Sequence, residues 1–335
     1  MNFLYFLEKL RNPVFDFFFV LITKLGEETV FLVLSILFFW CINKRRGYFM
    51  LTVGLIGTVI NQAAKLIFRI PRPFVIDPNF TVVGGEEVKL AASGYSFPSG
   101  HTQNAAGIFG VIAATSKKWC WRIVCIVLIF LVAFSRMYLG VHTPLDVSVS
   151  LVVAALLVFG LYPLFSSEER MNKAMPYICI ASALLSVGLV LYVFLLPESS
   201  FPLESDIANL LSGRKNASTM LGCFLGLPII YYLDKHYIKF ETKSSWYGQI
   251  IKIVGGLGIV LLIKVGLSSP LVSLFGNEYV ARAVRYFLIV IFAGVVWPIS
   301  FKYIAKLKIP VFDRFGEWVK GIFIKKATNQ SAGEN

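Results

Sequence analysis

The stretch CWRIVCIVLIFLVAFSRMYLGVHTPLD, residues 120–146, carries both the architecture and the chemistry of this chain. Its first part is an apolar run in which Arg122 is the only charge before Arg136. Its second part gathers Ser135, Arg136, His142 and Asp146 at the end of that run. A helix needs about 20 mostly apolar residues to cross the hydrocarbon core of a bilayer. A polar cluster where such a helix meets the interface is a site at a membrane face.

The same pattern recurs along the chain. The 335 residues are 57% hydrophobic and only 15% charged, whereas soluble domains carry about 25% charged residues. This predicts an all-α fold, a polytopic transmembrane helical bundle. Nine spans are expected, over 29–42, 48–68, 103–116, 120–136, 145–165, 175–196, 216–233, 247–268 and 280–304. Several are short, so their ends must extend into the polar flanks. Pro13 to Thr23 is apolar but shorter still. It reads as a tenth span or as a segment lying in the interface with Met1 to Leu10, and the interface is the favoured reading. Glu8, Lys9 and Arg11 interrupt the first apolar stretch, so no cleavable signal peptide is expected.

The net charge of +13 does not point to nucleic acid, because the cations sit mainly in short loops between spans. Lys44 to Arg46, Lys117 with Lys118 and Arg122, Arg170 with Lys173, Lys235 to Lys243, and the tail from Lys302 fall on alternate loops. The positive-inside rule makes those loops cytoplasmic. The remaining loops then face the other side. The five cysteines are scattered and show no CxxC or Cys/His ligand spacing, so neither a disulfide framework nor a zinc site is expected.

Three polar blocks lie on those non-cytoplasmic loops: Lys65 to Pro73, Pro98 to His101, and Ser135 to Asp146. They hold two of the three histidines in the chain. Ser99 is placed to cap the helix that follows, and Gly100 lets an anion approach the free N–H groups of its first turn. A cap alone leaves His101 unexplained. Thr143-Pro144 suits a helix start, with Asp146 in its first turn. Asp146 therefore either stabilises its own helix or fixes the tautomer of His142 four residues earlier, and the two roles are compatible. Lys65 reads as a snorkelling cation or as a phosphate ligand. Arg72, between two prolines, is held for bidentate contact with an oxyanion. Arg136 stands where the charge bias disfavours a cation. Arg69 carries no assigned role.

Taken together the blocks read Lys-x6-Arg-Pro, Pro-Ser-Gly-His and Ser-Arg-x5-His-x3-Asp, and the chain resembles the type 2 phosphatidic acid phosphatase superfamily over roughly residues 13–165. That superfamily also holds prenyl-pyrophosphate phosphatases, glucose-6-phosphatase and vanadium haloperoxidases. The resemblance implies His142 as the nucleophile, Asp146 as its orienter and His101 as the general acid. It implies Lys65, Arg72, Ser99, Gly100 and Arg136 as phosphate ligands, Ser135 as a structural member of the motif, and neither metal nor cofactor. The later spans, with Gly213 to Gly222 opening one of them, are similar in layout to the sphingosine-phosphate phosphatases. There Arg214, Lys215, Arg282 and Arg285 either extend the headgroup surface or snorkel at span ends.

The expectation is thus a membrane phosphatase acting on a lipid phosphate or lipid pyrophosphate, with the bilayer as its medium and no nucleic-acid partner. The oligomeric state is left open. A lipid phosphotransferase would use the same histidine, and a transporter or scramblase built on a phosphatase core is a further alternative. The bacterial plasma membrane is the expected location, or the endoplasmic reticulum in a eukaryote. The expected division is a core over 1–166, additional spans over 167–306, and an amphipathic cytoplasmic tail over 307–335, drawn from the helical spacing of Val311, Phe315, Trp318, Val319, Ile322 and Phe323.

Overall fold

Backbone polar groups in hydrocarbon must be satisfied within their own segment, so the apolar runs have little choice but to be helices. A computed structural model describes residues 1–92, 94–310, 312 and 314. It is all-helical, with no strand among the described residues. The chain opens with α1 (Asn2–Lys9), α2 (Pro13–Thr23), α3 (Glu28–Leu37) and α4 (Lys44–Phe68). A loop containing the short α5 (Pro73–Ile76) and α6 (Gly85–Ala91) leads to α7 (Gly100–Thr115), α8 (Trp119–Tyr138) and α9 (Pro144–Leu161). The second half comprises α10 (Glu168–Leu195), α11 (Glu204–Leu233), α12 (Trp246–Ile250), α13 (Gly256–Gly266), α14 (Ser268–Phe275) and α15 (Glu278–Ile291).

Among the described residues, seven helical stretches are long and apolar enough to cross a membrane, and an eighth if a bent pair counts as one span. That pair is Pro13–Gly26 with Glu28–Ile42, bent by 53°. The expected nine are not all reached by this measure of length and apolarity, since α7 is shorter than any of the seven. Its 16 residues rise about 24 Å, short of a hydrocarbon core of about 30 Å. The segment from Pro13, read above as a tenth span or an interfacial segment, forms the first arm of the bent pair and packs on α8. Other ends do run into polar flanks. α10 begins at Glu168 and α11 at Glu204, well before the apolar runs they contain.

α7 is the centre of the first half, packed against α4, α8 and α9. α11 plays that part in the second half, against α15, α10 and α4. α4 thus belongs to both. The backbones of α11 and α15 touch at Gly222, where a Cβ would lie 2.2 Å from the carbonyl oxygen of Ala283.

The long loop after α4 folds over one end of the bundle, as its prolines and glycines lead one to expect. Ser96 N–H donates to Ile70 O at 2.8 Å, and Val83 N–H to Leu139 O at 3.2 Å. α1 buries Leu4 and Leu7 there. Tyr5 donates to Asp77 at 2.6 Å, and Arg11 to the Thr81 carbonyl at 2.9 Å. Arg69, left without a role above, ends α4 in the left-handed conformation at φ 49°, which costs on the order of 1 kcal/mol for a residue with a Cβ. Its guanidinium donates to Ser200 O at 2.8 Å and lies 3.9 Å over the Phe201 ring, tying the end of α4 to the second half. The amphipathic tail expected beyond Pro310 lies outside the described residues apart from Phe312 and Arg314.

Candidate active site

Antiparallel connection brings the ends of α4 and α8 and the starts of α7 and α9 to the same end of the bundle, beneath the loop. Each terminus delivers one element of the polar blocks. Ser99 caps α7 by accepting from Thr102 N–H at 3.4 Å, and its own N–H donates to Asp146 O at 3.3 Å. That bond sets the start of α7 beside the start of α9. At α9, Thr143 and Asp146 form a reciprocal capping box around Pro144. Asp146 Oδ2 accepts from Thr143 N–H at 2.7 Å.

A cavity of about 200 Å³ lies at this junction. Six of the eight expected site residues line it: Lys65, Arg72, Gly100, His101, Arg136 and His142. Ser99 and Asp146 stand behind the wall, Ser99 as the cap of α7 and Asp146 against His142. Asp146 Oδ2 is 3.5 Å from His142 Nδ1, and both side chains are buried. Ser135 is also buried, its hydroxyl donating to Val132 O at 2.6 Å within α8.

Backbone carbonyls hold Arg72 and Lys65, and a threonine hydroxyl holds Arg136. Arg72 donates through Nε to Gly94 O at 2.9 Å and through Nη1 to Val141 O at 3.0 Å. The same Nη1 is 3.2 Å from His142 Nε2. Lys65 donates to the Tyr95 carbonyl. Arg136, 3% exposed, donates through Nη1 to Thr23 Oγ1 at 2.6 Å, while its Nε has no hydrogen-bond partner among the described residues. Three cations in so little water are costly unless an anion joins them. A phosphate dianion would satisfy the free donor and offset the charge at once.

His142 lies in the turn between α8 and α9, and its environment selects a protonation state. Burial, then the positive charges of Arg72, Arg136 and Lys65, push its pKa well below the usual histidine value. With Asp146 and Ser96 facing Nδ1, the proton of the neutral ring belongs there, leaving the Nε2 lone pair toward the cavity.

Several residues at the site lie outside the three blocks. Ser96 sits 3.3 Å from His142 Nδ1 and donates to Asp146 Oδ2 at 2.6 Å, so it bridges the pair. Nothing in its local sequence distinguishes it. Asn61 and Gln103 also line the cavity. Asn61 had a usable signal, being a polar residue inside an apolar run one helical turn before Lys65. Glu28 lines the cavity from the start of α3. Arg214, Lys215, Arg282 and Arg285, in contrast, line other parts of the second half. Arg214 pairs with Glu198 at 2.6 Å and Lys215 with Glu278 at 3.3 Å. Arg282 donates to Thr219 Oγ1 at 2.7 Å and Arg285 to Lys264 O at 3.2 Å.

Comparison with known proteins agrees with this layout. Residues 46–170 match the PAP2 superfamily. Residues 218–308 match the PAP2 superfamily phosphatase, transmembrane extension. Sphingosine-1-phosphate phosphatase 2 of Mus musculus is 23% identical over 270 residues, covering 79% of this chain and 71% of that protein. Undecaprenyl-diphosphatase BcrC of Bacillus subtilis (strain 168) is 33% identical over 151 residues, covering 44% of this chain and 74% of that protein. Among solved structures, Aquifex aeolicus LpxE aligns at 25% identity over 47% of this chain and 91% of that one, with a TM-score of 0.39.

Proposed function

The chain belongs to the PAP2 superfamily, and from that premise we propose that it hydrolyses a lipid phosphate or lipid pyrophosphate through a phosphohistidine, at the non-cytoplasmic face of the membrane. The observation that carries this reading is the convergence of two histidines and three cations, distant in sequence, on one cavity. The alternation of basic loops supports the assignment of the face. A bacterial plasma membrane is the proposed location.

In this reading Lys65, Arg72, Arg136 and the backbone N–H groups opening α7 at Gly100, next to the Ser99 cap, hold the phosphoryl oxygens. His142 Nε2 attacks phosphorus in line with the ester oxygen. As the P–O bond breaks, His101, entering the step as an imidazolium, gives its proton to the departing alkoxide, or to the departing phosphate of a pyrophosphate, and is left neutral. The Nδ1 proton stays with His142, and Asp146 stabilises the positive charge that the ring gains. Water then attacks the phosphorus as His101, now neutral, takes its proton; the P–N bond breaks with its electron pair returning to His142 Nε2, and inorganic phosphate leaves. The three cations meet the charge on the equatorial oxygens, the task a divalent ion performs in other phosphoryl-transfer sites. Residues 1–166 carry the reaction in this proposal, and 167–306 form the additional helical half that buttresses α4 and meets the lipid.

The test is release of inorganic phosphate from detergent-solubilised lipid monophosphates and diphosphates by the purified protein in the presence of a chelator. Turnover with EDTA is the expected result. Activity that appears only on adding a divalent ion would defeat the metal-independent mechanism.

A pH profile examines the nucleophile separately. The neutral form of His142 is the reactive one, and its lowered pKa keeps it neutral into acid solution. The acid limb of kcat/KM should therefore lie below the ordinary histidine range, and activity should be lost as pH falls through it. Arg136→Gln removes one repelling cation and should move that limb upward. The substrate phosphate, with a second pKa of about 6, titrates alike with both enzymes, so a limb that stays put reports the substrate and not His142.

A further inference from the structure

A second cavity, of about 550 Å³, lies at the other end of the bundle. Lys44, at the start of α4, donates to Asp234 at 2.9 Å and rests 3.7 Å over the ring of Phe240, which is part of the cavity wall. Lys65, near the far end of the same helix, lines the phosphate cavity. Between the two lysines α4 rises about 30 Å, so the cavities are separated by roughly the thickness of the hydrocarbon core.

The lining joins two segments distant in the chain. The turn after the span Glu204–Ile238 supplies Lys239 and Lys243, and the end of the span Glu278–Ile304 with the turn beyond it supplies Lys302 and Lys306. Glu241 is the one carboxylate among the lining residues. None of the four lysines makes an ion pair among the described residues. A fifth cation stands behind the wall. Lys252 is fully buried and lies 4.6 Å over the ring of Phe301, another lining residue. It donates to the carbonyls of Glu241 at 3.2 Å and Thr242 at 3.1 Å, so it pins the backbone between Lys239 and Lys243.

The charge bias of membrane proteins accounts for lysines in a basic loop. It does not account for their convergence from two loops on one recess, nor for a buried lysine that fixes the backbone between two of them. Unpaired like charges so placed repel one another, and a bound anion would offset that repulsion. The rest of the wall is apolar. Pro298 and Ile299 line the cavity, and Ile299 and Val296 are exposed on the adjoining face of the span. Tyr237, also lining and exposed, stands where aromatic residues meet the headgroup level. A soluble anion would use only the cations, whereas an amphiphile uses both parts of the wall.

We propose that this recess binds an anionic phospholipid of the cytoplasmic leaflet, with its phosphodiester among Lys239, Lys243, Lys302 and Lys306 and its chains along Ile299 and Val296. Basic pockets between membrane helices on that side suit such headgroups. The site is separate from the phosphate cavity. It takes the membrane orientation proposed above and does not depend on the reaction. Bound lipid ties the loop after α11 to the end of the last span, and so stabilises the second half of the bundle.

The experiment titrates the purified full-length protein, in neutral detergent, with phosphatidylglycerol or phosphatidylcholine and reads the midpoint of thermal unfolding. Phosphatidylglycerol should raise the midpoint saturably and phosphatidylcholine should not. In the double variant Lys239→Gln with Lys302→Gln, the half-maximal concentration should rise about tenfold or more, the scale of two cations lost beside an anionic lipid. Arginine at both positions should restore the response. Lys117→Gln with Lys118→Gln removes the same charge from another basic loop and should leave the titration as in wild type. An equal loss in that variant overturns the proposal in favour of diffuse charge. So does a wild type without a saturable rise, or an unchanged response in the recess variant. The same rise with glycerol phosphate or inorganic phosphate would make the recess a site for soluble anions and overturn the lipid. A response lost in Arg136→Gln instead would place the lipid in the phosphate cavity. The midpoint without lipid reports folding, and Lys243→Gln with Lys306→Gln carries the same test if the first pair fails to fold.

Discussion

His142→Ala is expected to lower phosphate release from any lipid substrate by about 10⁴-fold or more, the scale on which enzymes lose turnover when a covalent nucleophile is deleted. No other side chain can replace it. His101 opens α7 on a different wall of the cavity, and the other nucleophilic side chains of the three blocks are occupied, Ser99 in its cap and Ser135 within α8. The fold should survive the change. His142 lies in a turn, and although it is 1% exposed, its neighbours Arg72 and Asp146 keep backbone partners when the ring is removed. The assay is single-turnover phosphate release, with an acid quench that would trap a labelled phosphoprotein in the wild type. A labelled intermediate that persists in His142→Ala, or turnover within tenfold of wild type, would move the nucleophile elsewhere.

The second large effect is expected at Asp146. Asp146→Asn keeps the shape and retains an oxygen for the Thr143 N–H, so the start of α9 should remain capped. What it removes is the charge beside His142 Nδ1. Without that charge the ring is no longer held in one tautomer, and the positive charge it gains on attack is less stabilised. A loss of about 10²- to 10⁴-fold in kcat is expected, by analogy with the aspartate of a serine-protease triad. Thermal unfolding of the detergent-solubilised variant separates the two roles of Asp146. An unchanged midpoint with lost activity places the effect in chemistry, whereas a lowered midpoint with residual activity near wild type would leave Asp146 as a helix cap and nothing more.

These residues also show how much of the molecule could be read beforehand. His142, Asp146 and Arg136 are a local signal: they end one apolar run and begin the next, and the four-residue spacing of His142 and Asp146 survives as a contact because both sit at a helix start. The cap by Ser99 and the box of Thr143 with Asp146 were legible for the same reason, since capping is decided within a few residues. Ser96 was not legible. It reaches His142 only because a loop of some two dozen residues folds back so that its N–H meets Ile70 O, and no short-range rule specifies that path. The count of nine spans is not reached by helix length because α7 is short, a property that apolar content alone does not reveal. The segment from Pro13 left two readings open, span or interface. Its apolarity was read correctly, but the bend at Lys24–Gly26 is set by packing of that turn on α7.

Sequence by itself determined that the chain is helical and membrane-embedded, and which polar residues stand at the ends of its helices, because solvation by hydrocarbon and local capping act over one helical turn to one span. Only the tertiary structure decided which of those ends share a cavity, that Ser96 closes the ring behind His142, and that Glu28 faces the same space as the cations. Those outcomes depend on how helices far apart in the chain pack against one another, a balance of many small contacts that no local stretch encodes.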